Sequence, residues 1–282
     1  MITTLSNECL KVTIDSLGAE IQSINKGGKE LIWEGDPKFW TGHSPVLFPI
    51  CGGLKDDKFL YDGKEYNLPK HGFAKTKEFK LESATNEKAV YLLCSDEETL
   101  KVYPFRFELK VIYTLDKNKV TVEYNVKNLS DGEMYYSIGA HEAYACPGGI
   151  DEYTIKFEKT ENFDSMVLDG PLVTTDTFKV AESSDKLKLS VNLFTVDSLI
   201  FKDLKSRKAW LVNDKTGEQT EISYEGFDYL LLWTIPGAEY ICIEPWCGIP
   251  DYVNSEYDIT KKAGIIKVEK GETSVKTHSM IF

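Results

Sequence analysis

Apolar and polar residues alternate position by position along much of this chain. Leu10, Val12 and Ile14 alternate with Lys11, Thr13 and Asp15. Phe105, Phe107, Leu109, Val111 and Tyr113 alternate with Arg106, Glu108 and Lys110, and Val120, Val122, Tyr124 and Val126 with Thr121, Glu123 and Asn125. In an extended strand successive side chains point to opposite faces, so such runs bury one face and wet the other. The last two runs flank Asp116-Lys117-Asn118-Lys119 and predict a hairpin. The pattern returns at Tyr153-Ile155-Phe157 and at Leu187-Leu189-Val191-Leu193. It returns again in the segments 208–212 and 218–224, and in 229–234 and 240–244, each pair split by a turn sequence. Helical periodicity is nearly absent, with short turns expected at 36–40 and 256–262.

Strands that each bury one face must stack as two sheets or close on themselves. No Pro/Gly/Ser-rich linker, charge block or 20–50-residue repeat divides the 282 residues. The expectation is a single all-β domain over 1–282, a large antiparallel β-sandwich. A chain of this length can bury a sizeable core without staples.

The net charge of −12 opposes a phosphate-tracking nucleic-acid binder. There is no run of 18 apolar residues and no secretory leader pattern at the N-terminus, so neither a membrane span nor secretion is expected. The six cysteines then predict free thiols in the cytoplasm. No Cys-x-x-Cys is present, and no metal-ligand cluster is visible from spacing. Dinucleotide, P-loop, zinc-protease and Gly-x-Ser-x-Gly signatures are absent, so no cofactor is expected.

Chemistry must come from a few titratable residues. Of the four histidines, His43 sits between breakers in a loop, and His278 lies in an alternating C-terminal strand and reads as structural. His71 precedes Gly72, which lets the backbone bend. His141 follows the small residues Gly139 and Ala140, which leave room for a bulky neighbour. Local context alone leaves both open to a structural or a functional role. Glu244 ends an apolar run, Tyr240-Ile241-Cys242-Ile243-Glu244-Pro245-Trp246, in which Cys242 and Glu244 share one face. A carboxyl placed there is desolvated or aimed into a cleft, and desolvation would suit it to proton transfer near neutral pH.

Four segments, taken in order, carry a resemblance: Ser44-Pro45-Val46-Leu47-Phe48-Pro49-Ile50, Lys70-His71-Gly72-Phe73-Ala74, Ile138-Gly139-Ala140-His141, and Cys242-Ile243-Glu244-Pro245-Trp246-Cys247-Gly248-Ile249-Pro250-Asp251. Together they resemble the aldose 1-epimerase (galactose mutarotase) family, in its bacterial LacX-like branch. The resemblance spans the chain and implies a β-sandwich of the galactose mutarotase type. It implies interconversion of sugar anomers, with Glu244 as general base, His141 as general acid and His71 as a catalytic hydrogen-bonding residue. It also implies sugar contacts from Asp197, Trp246, Lys75 and Lys55, and no metal or cofactor. Three positions depart from the family pattern. Gly53 stands where relatives commonly carry an arginine, Lys75 stands for another arginine, and Glu142 stands for a proline after the histidine. A lysine lacks the planar fork of an arginine. Two alternatives share the scaffold: a hexose-6-phosphate 1-epimerase and a non-catalytic carbohydrate-binding protein. A two-carboxylate glycosidase lacks a second acid to pair with Glu244. Oligomeric state is not legible.

Overall fold

The computed structural model describes residues 1–282. Thirteen strands form one antiparallel sheet. Its path begins at Ala143–Ala145 and runs through Tyr240–Trp246, Tyr229–Trp233, Leu199–Lys202 and Tyr153–Asp169. It continues through Lys208–Asn213, Gln219–Ser223, Thr273–Ile281, Lys119–Asn128, Phe107–Asp116 and Lys88–Cys94 to Lys80–Ala84. Leu172–Lys188 pairs beside this path with Tyr153–Asp169, making a long hairpin. A separate four-stranded sheet is built from Ile2–Ser6, Lys11–Asp15, Glu20–Lys26 and Lys29–Glu30.

The predicted hairpin is present, with Asp116 opposite Lys119 and Val122 opposite Tyr113. Along both strands burial alternates as the sequence does, because one face packs inward. Val12 and Ile24 of the small sheet, Val111 and Val122 of the hairpin, and Leu230, Ile241 and Ile243 from the far end of the large sheet share one cluster of 61 buried residues. Ends of the sheet that are remote along its path therefore face one another across a common core, which is the sandwich. Each fully buried aliphatic side chain contributes about 1.5–3 kcal/mol relative to exposure.

Two local expectations are corrected, and the form of the His141 segment is resolved. The alternation at Leu187–Leu193 continues only partway as strand: Leu172–Lys188 ends before Ser190, whose side chain accepts from Asn192 N–H and opens a 3₁₀ turn at Val191–Phe194. The one α-helix, Glu97–Val102, lies outside both expected turns. Asp96 caps it, accepting from Thr99 N–H at 2.7 Å, while Thr99 Oγ1 accepts from Asp96 N–H at 2.8 Å. The His141 segment is a connection between Met134–Tyr136 and Ala143–Ala145, held by β-bridges at Gly139 and by backbone hydrogen bonds at Ser137, Ile138 and Ala140. At 256–262 a 3₁₀ turn forms over Ile259–Lys261.

Tyr240–Trp246 is buried on both faces along its whole length. Ile241 and Ile243 enter the main core. Cys242 packs on the other face with Trp33, Ala143 and Tyr240. The loop that follows is anchored by a buried ion pair. Lys262 Nζ donates to Asp251 Oδ1 at 2.7 Å and to the Ile249 carbonyl at 2.8 Å, with the two side chains 3% and 5% exposed. Asp251 Oδ2 accepts from Lys55 N–H at 3.1 Å, so the pair ties segment 247–251 to the loop carrying Gly53.

Removing one partner of such a pair strands the other charge in the interior. Lys262→Met is expected to lower unfolding stability by about 3–5 kcal/mol in a denaturant titration. Lys270→Met, which removes an ion pair to fully exposed Asp131, is expected to leave stability close to that of the parent. Equal losses in the two variants would contradict the anchoring role.

Candidate active site

His71, His141, Asp197, Glu244, Trp246 and Lys75 line one cleft of about 490 Å³. They come from four separate stretches of chain. Glu244 and Trp246 project from the doubly buried strand, opposite Ile241 and Ile243, as the alternation requires. His141 is delivered by its connection, where the Trp246 indole lies against Gly139: a Cβ there would sit 2.6 Å from Trp246 Cδ1. Trp246 Nε1 donates to the Ala140 carbonyl at 3.1 Å, fixing the backbone beside His141.

The His71 turn is set by left-handed backbone at two consecutive residues, φ 69° at His71 and φ 67° at Gly72. Only glycine fits the second position, since a Cβ would lie 2.3 Å from the Phe48 carbonyl oxygen. His71 N–H donates to the Gly52 carbonyl at 2.8 Å, and Gly52 N–H donates to His71 Nδ1 at 3.1 Å. A neutral ring that accepts at Nδ1 carries its proton on Nε2. Burial, helped by nearby His141 and lysines, holds the His71 imidazole well below its ordinary value, so the neutral ring is the resting form.

Glu244 Oε2 lies 3.3 Å from His141 Nε2, with the side chains 2% and 10% exposed. The contact is close but not aligned as a hydrogen bond, and both Glu244 Oε2 and His141 Nδ1 lack a partner. Burial pushes the Glu244 carboxyl well above the usual carboxylate range, against a smaller pull from Lys70. Burial likewise pushes His141 well below the ordinary imidazole range. Both shifts favour the uncharged arrangement in these dry surroundings, a protonated carboxyl beside a neutral imidazole.

Aromatic rings wall the pair. Trp40 lies 5.1 Å from the His141 ring at 32°, Trp233 lies 5.7 Å away at 75°, and the His71 ring meets Trp246 edge-on at 5.3 Å. Asp197, at φ 78°, accepts from Trp233 Nε1 at 2.9 Å and so orients that wall. Glu20 accepts from the backbone N–H groups of His43 and Ser44, each at 2.8 Å, which pins the loop carrying Trp40. His43 itself turns away, Nδ1 lying 2.8 Å from the Trp33 carbonyl. Trp40, Trp233, Lys70 and Glu20 were not singled out from sequence. Only Trp40, beside the Gly42-His43-Ser44-Pro45 breakers, stands in a context that could have flagged it.

The expectation for Lys55 is not met by its position. Its ammonium donates to the Ser255 carbonyl at 3.2 Å and rests 5.0 Å from the Tyr257 ring centre, outside the cleft-lining residues. The second lysine of the cleft is Lys70. Lys75 lines the cleft with Nζ on the Lys70 carbonyl at 3.3 Å, its pKa lowered by burial and by Lys70. The three departures also have physical correlates. A side chain at Gly53 would meet the Pro171 carbonyl oxygen at 3.1 Å, because the tip of the long hairpin occupies that space. Glu142 points away from the cleft into the core, where Oε1 lies 2.8 Å from His278 Nε2. A second depression, about 470 Å³, is lined by Lys26, Glu30, Tyr144, Tyr153 and Phe282 among others, without a histidine. Glu30 there is committed to Ser23 Oγ and Ile24 N–H.

Residues 1–280 match the family described as Aldose 1-epimerase. Protein LacX of Lactococcus lactis subsp. lactis is 32% identical over 295 residues, covering 99% of both chains. The galactose mutarotase related enzyme of Lactobacillus acidophilus superposes with a TM-score of 0.95 at 32% identity, covering 100% of this chain and 97% of that one. A galactose mutarotase-like protein of Lactobacillus casei gives 0.94 at 27% identity, covering 100% and 99%. The large antiparallel β-sandwich is thus of the galactose mutarotase type, and the chain belongs to the aldose 1-epimerase family.

Proposed function

We propose that the protein is an aldose 1-epimerase acting on a free hexose without metal or cofactor. The observation that carries this is the Glu244–His141 pair: two buried proton-transfer groups 3.3 Å apart at the floor of a cleft, each with an unpartnered polar atom. Anomer exchange asks for one group that accepts a proton and one that donates it, with both reset on closure. Glu244 takes the C1 hydroxyl proton while His141 gives its proton to the ring oxygen. The C1–O bond opens to an aldehyde, the C1–C2 bond rotates, and closure on the other face returns both protons. Sugar hydroxyls entering the cleft supply the missing hydrogen bonds and stabilise the carboxylate–imidazolium arrangement that this direction needs. His71, with its proton on Nε2, donates to the ring oxygen as charge builds. The faces of Trp40 and Trp246 offer apolar surface to the sugar ring, and Asp197 accepts from a hydroxyl at the rim. The free thiols, with Cys9 and Cys94 exposed, favour a reducing, cytoplasmic setting.

Lys70 and Lys75 at the cleft favour one second reading, a hexose-6-phosphate epimerase. Against it, the lining has no arginine fork and includes the carboxyls of Glu20 and Asp197. Polarimetry of fresh α-galactose, α-glucose and glucose-6-phosphate at matched salt separates the readings. The expected result is accelerated mutarotation of a free hexose. A preference above about tenfold for the phosphosugar, about 1.4 kcal/mol of transition-state binding, would promote the alternative. An unchanged spontaneous rate for all three would leave a sugar binder.

Glu244→Gln and His141→Asn are each expected to cut the catalysed rate by about 10²–10⁴-fold. Glu244→Gln is also expected to raise the melting temperature above pH ~4.5, increasingly as pH rises. The folded carboxyl keeps its proton where an unfolded glutamate has lost it. Wild-type stability relative to glutamine therefore declines through that window. A variant both inactive and less stable at neutral pH would point to a structural role instead.

The two shifts also shape the pH profile. Burial holds His141 low and Glu244 high, which moves both titrations away from their ordinary ranges. kcat/KM is expected to be flat across neutrality, without the break near pH ~6.5 of an ordinary histidine. A break there that moves or disappears in His141→Asn would contradict this protonation scheme.

A further inference from the structure

Cys242 lies two residues before Glu244 on the same face of its strand, and no hydrogen bond engages its thiol. His141, Cys242 and Glu244 are all buried, and each places a ligand atom within 4.8 Å of the others. Metal-ligand bonds of about 2.0–2.3 Å in a tetrahedral site put ligand atoms roughly 3.3–3.8 Å apart. The His141 Nε2 to Glu244 Oε2 separation, 3.3 Å, already has that length. The 4.8 Å limit on all three separations leaves a modest inward adjustment to reach that geometry.

We propose that His141, Cys242 and Glu244 form a capture site for a thiophilic divalent cation such as Zn²⁺, and that its occupancy switches off the proton-transfer pair. Thiolate, imidazole and carboxylate suit zinc and not magnesium or calcium. Binding converts the Cys242 thiol to thiolate and the Glu244 carboxyl to carboxylate, releasing two protons. One doubly charged cation, two singly charged ligands and a neutral imidazole then sum to zero charge. That balance is what a dry site demands, because an uncompensated charge there is costly. Two of the three ligands, His141 and Glu244, line the cleft. Two released protons make apparent affinity rise by about two powers of ten per pH unit while both groups are protonated. Binding rests on geometry alone; the loss of activity rests also on the epimerase reading.

The test uses the full chain with Cys9→Ser and Cys94→Ser, which remove the two exposed thiols. Titration with Co²⁺ as a spectroscopic probe is expected to give a thiolate-to-cobalt charge-transfer band, displaced by Zn²⁺ and not by Mg²⁺. The band needs no catalytic activity. It should vanish in Cys242→Ala and separately in His141→Asn, so the proposal stays testable if one variant fails to fold. In mutarotation assays Zn²⁺ should inhibit and EDTA should restore the rate. Cys242→Ala should keep the uninhibited rate and need more than about tenfold more Zn²⁺ for the same inhibition. No band in the parent, or a band that survives in Cys242→Ala, would overturn the site. A band without inhibition would keep the site and remove the switch.

Discussion

Desolvation of Glu244 is the constraint on which the site depends. Its strand is buried on both faces, so the carboxyl at its end has almost no access to water. An isolated carboxylate there would be costly, no lysine or arginine pairs with it, and burial shifts the carboxyl towards its protonated form. His141 lies 3.3 Å away, and the aromatic rings of Trp40, Trp233 and Trp246 wall the two groups. The same dryness that raises the carboxyl lowers the imidazole, which favours the uncharged form of both groups.

The rest of the fold serves that placement. Gly139 admits the Trp246 indole, and the indole in turn grips the Ala140 carbonyl beside His141. Gly72 admits the Phe48 carbonyl, and the turn it permits sets His71 against Gly52. The buried Lys262–Asp251 pair holds the loop after Trp246 against the Gly53 loop. Each contact joins segments far apart in sequence, so the site is a product of the sandwich and not of any local motif.

Strands were legible because a half-buried strand writes its burial directly as alternation, as in the hairpin of Phe107–Asp116 and Lys119–Asn128. That signal fails where polar groups redirect the backbone. Ser190 ends an alternating run in a 3₁₀ turn, and the Asp96–Thr99 cap starts a helix too short to show a period. In the site, Glu244, His141 and His71 stood out through their immediate neighbours and through family resemblance. Lys55 did not fulfil its expectation, since nearness in sequence to Gly53 says nothing of where a long flexible side chain finds a carbonyl. Lys70, Trp233 and Glu20 went unnoticed because their roles arise from contacts across the fold. Cys242 looked like an ordinary core residue until the distance to His141 was known.

Direct observation of the Glu244 proton tests the central claim. Infrared difference spectra between wild type and Glu244→Gln report the protonated carboxyl of Glu244, and His141 can be followed in parallel by its ring nitrogen shifts. At about pH 7, where an ordinary glutamate is fully ionised, the account predicts a protonated carboxyl band that glutamine abolishes, together with a neutral His141 ring. An ionised Glu244 at that pH, with His141 titrating near its ordinary value, would contradict it.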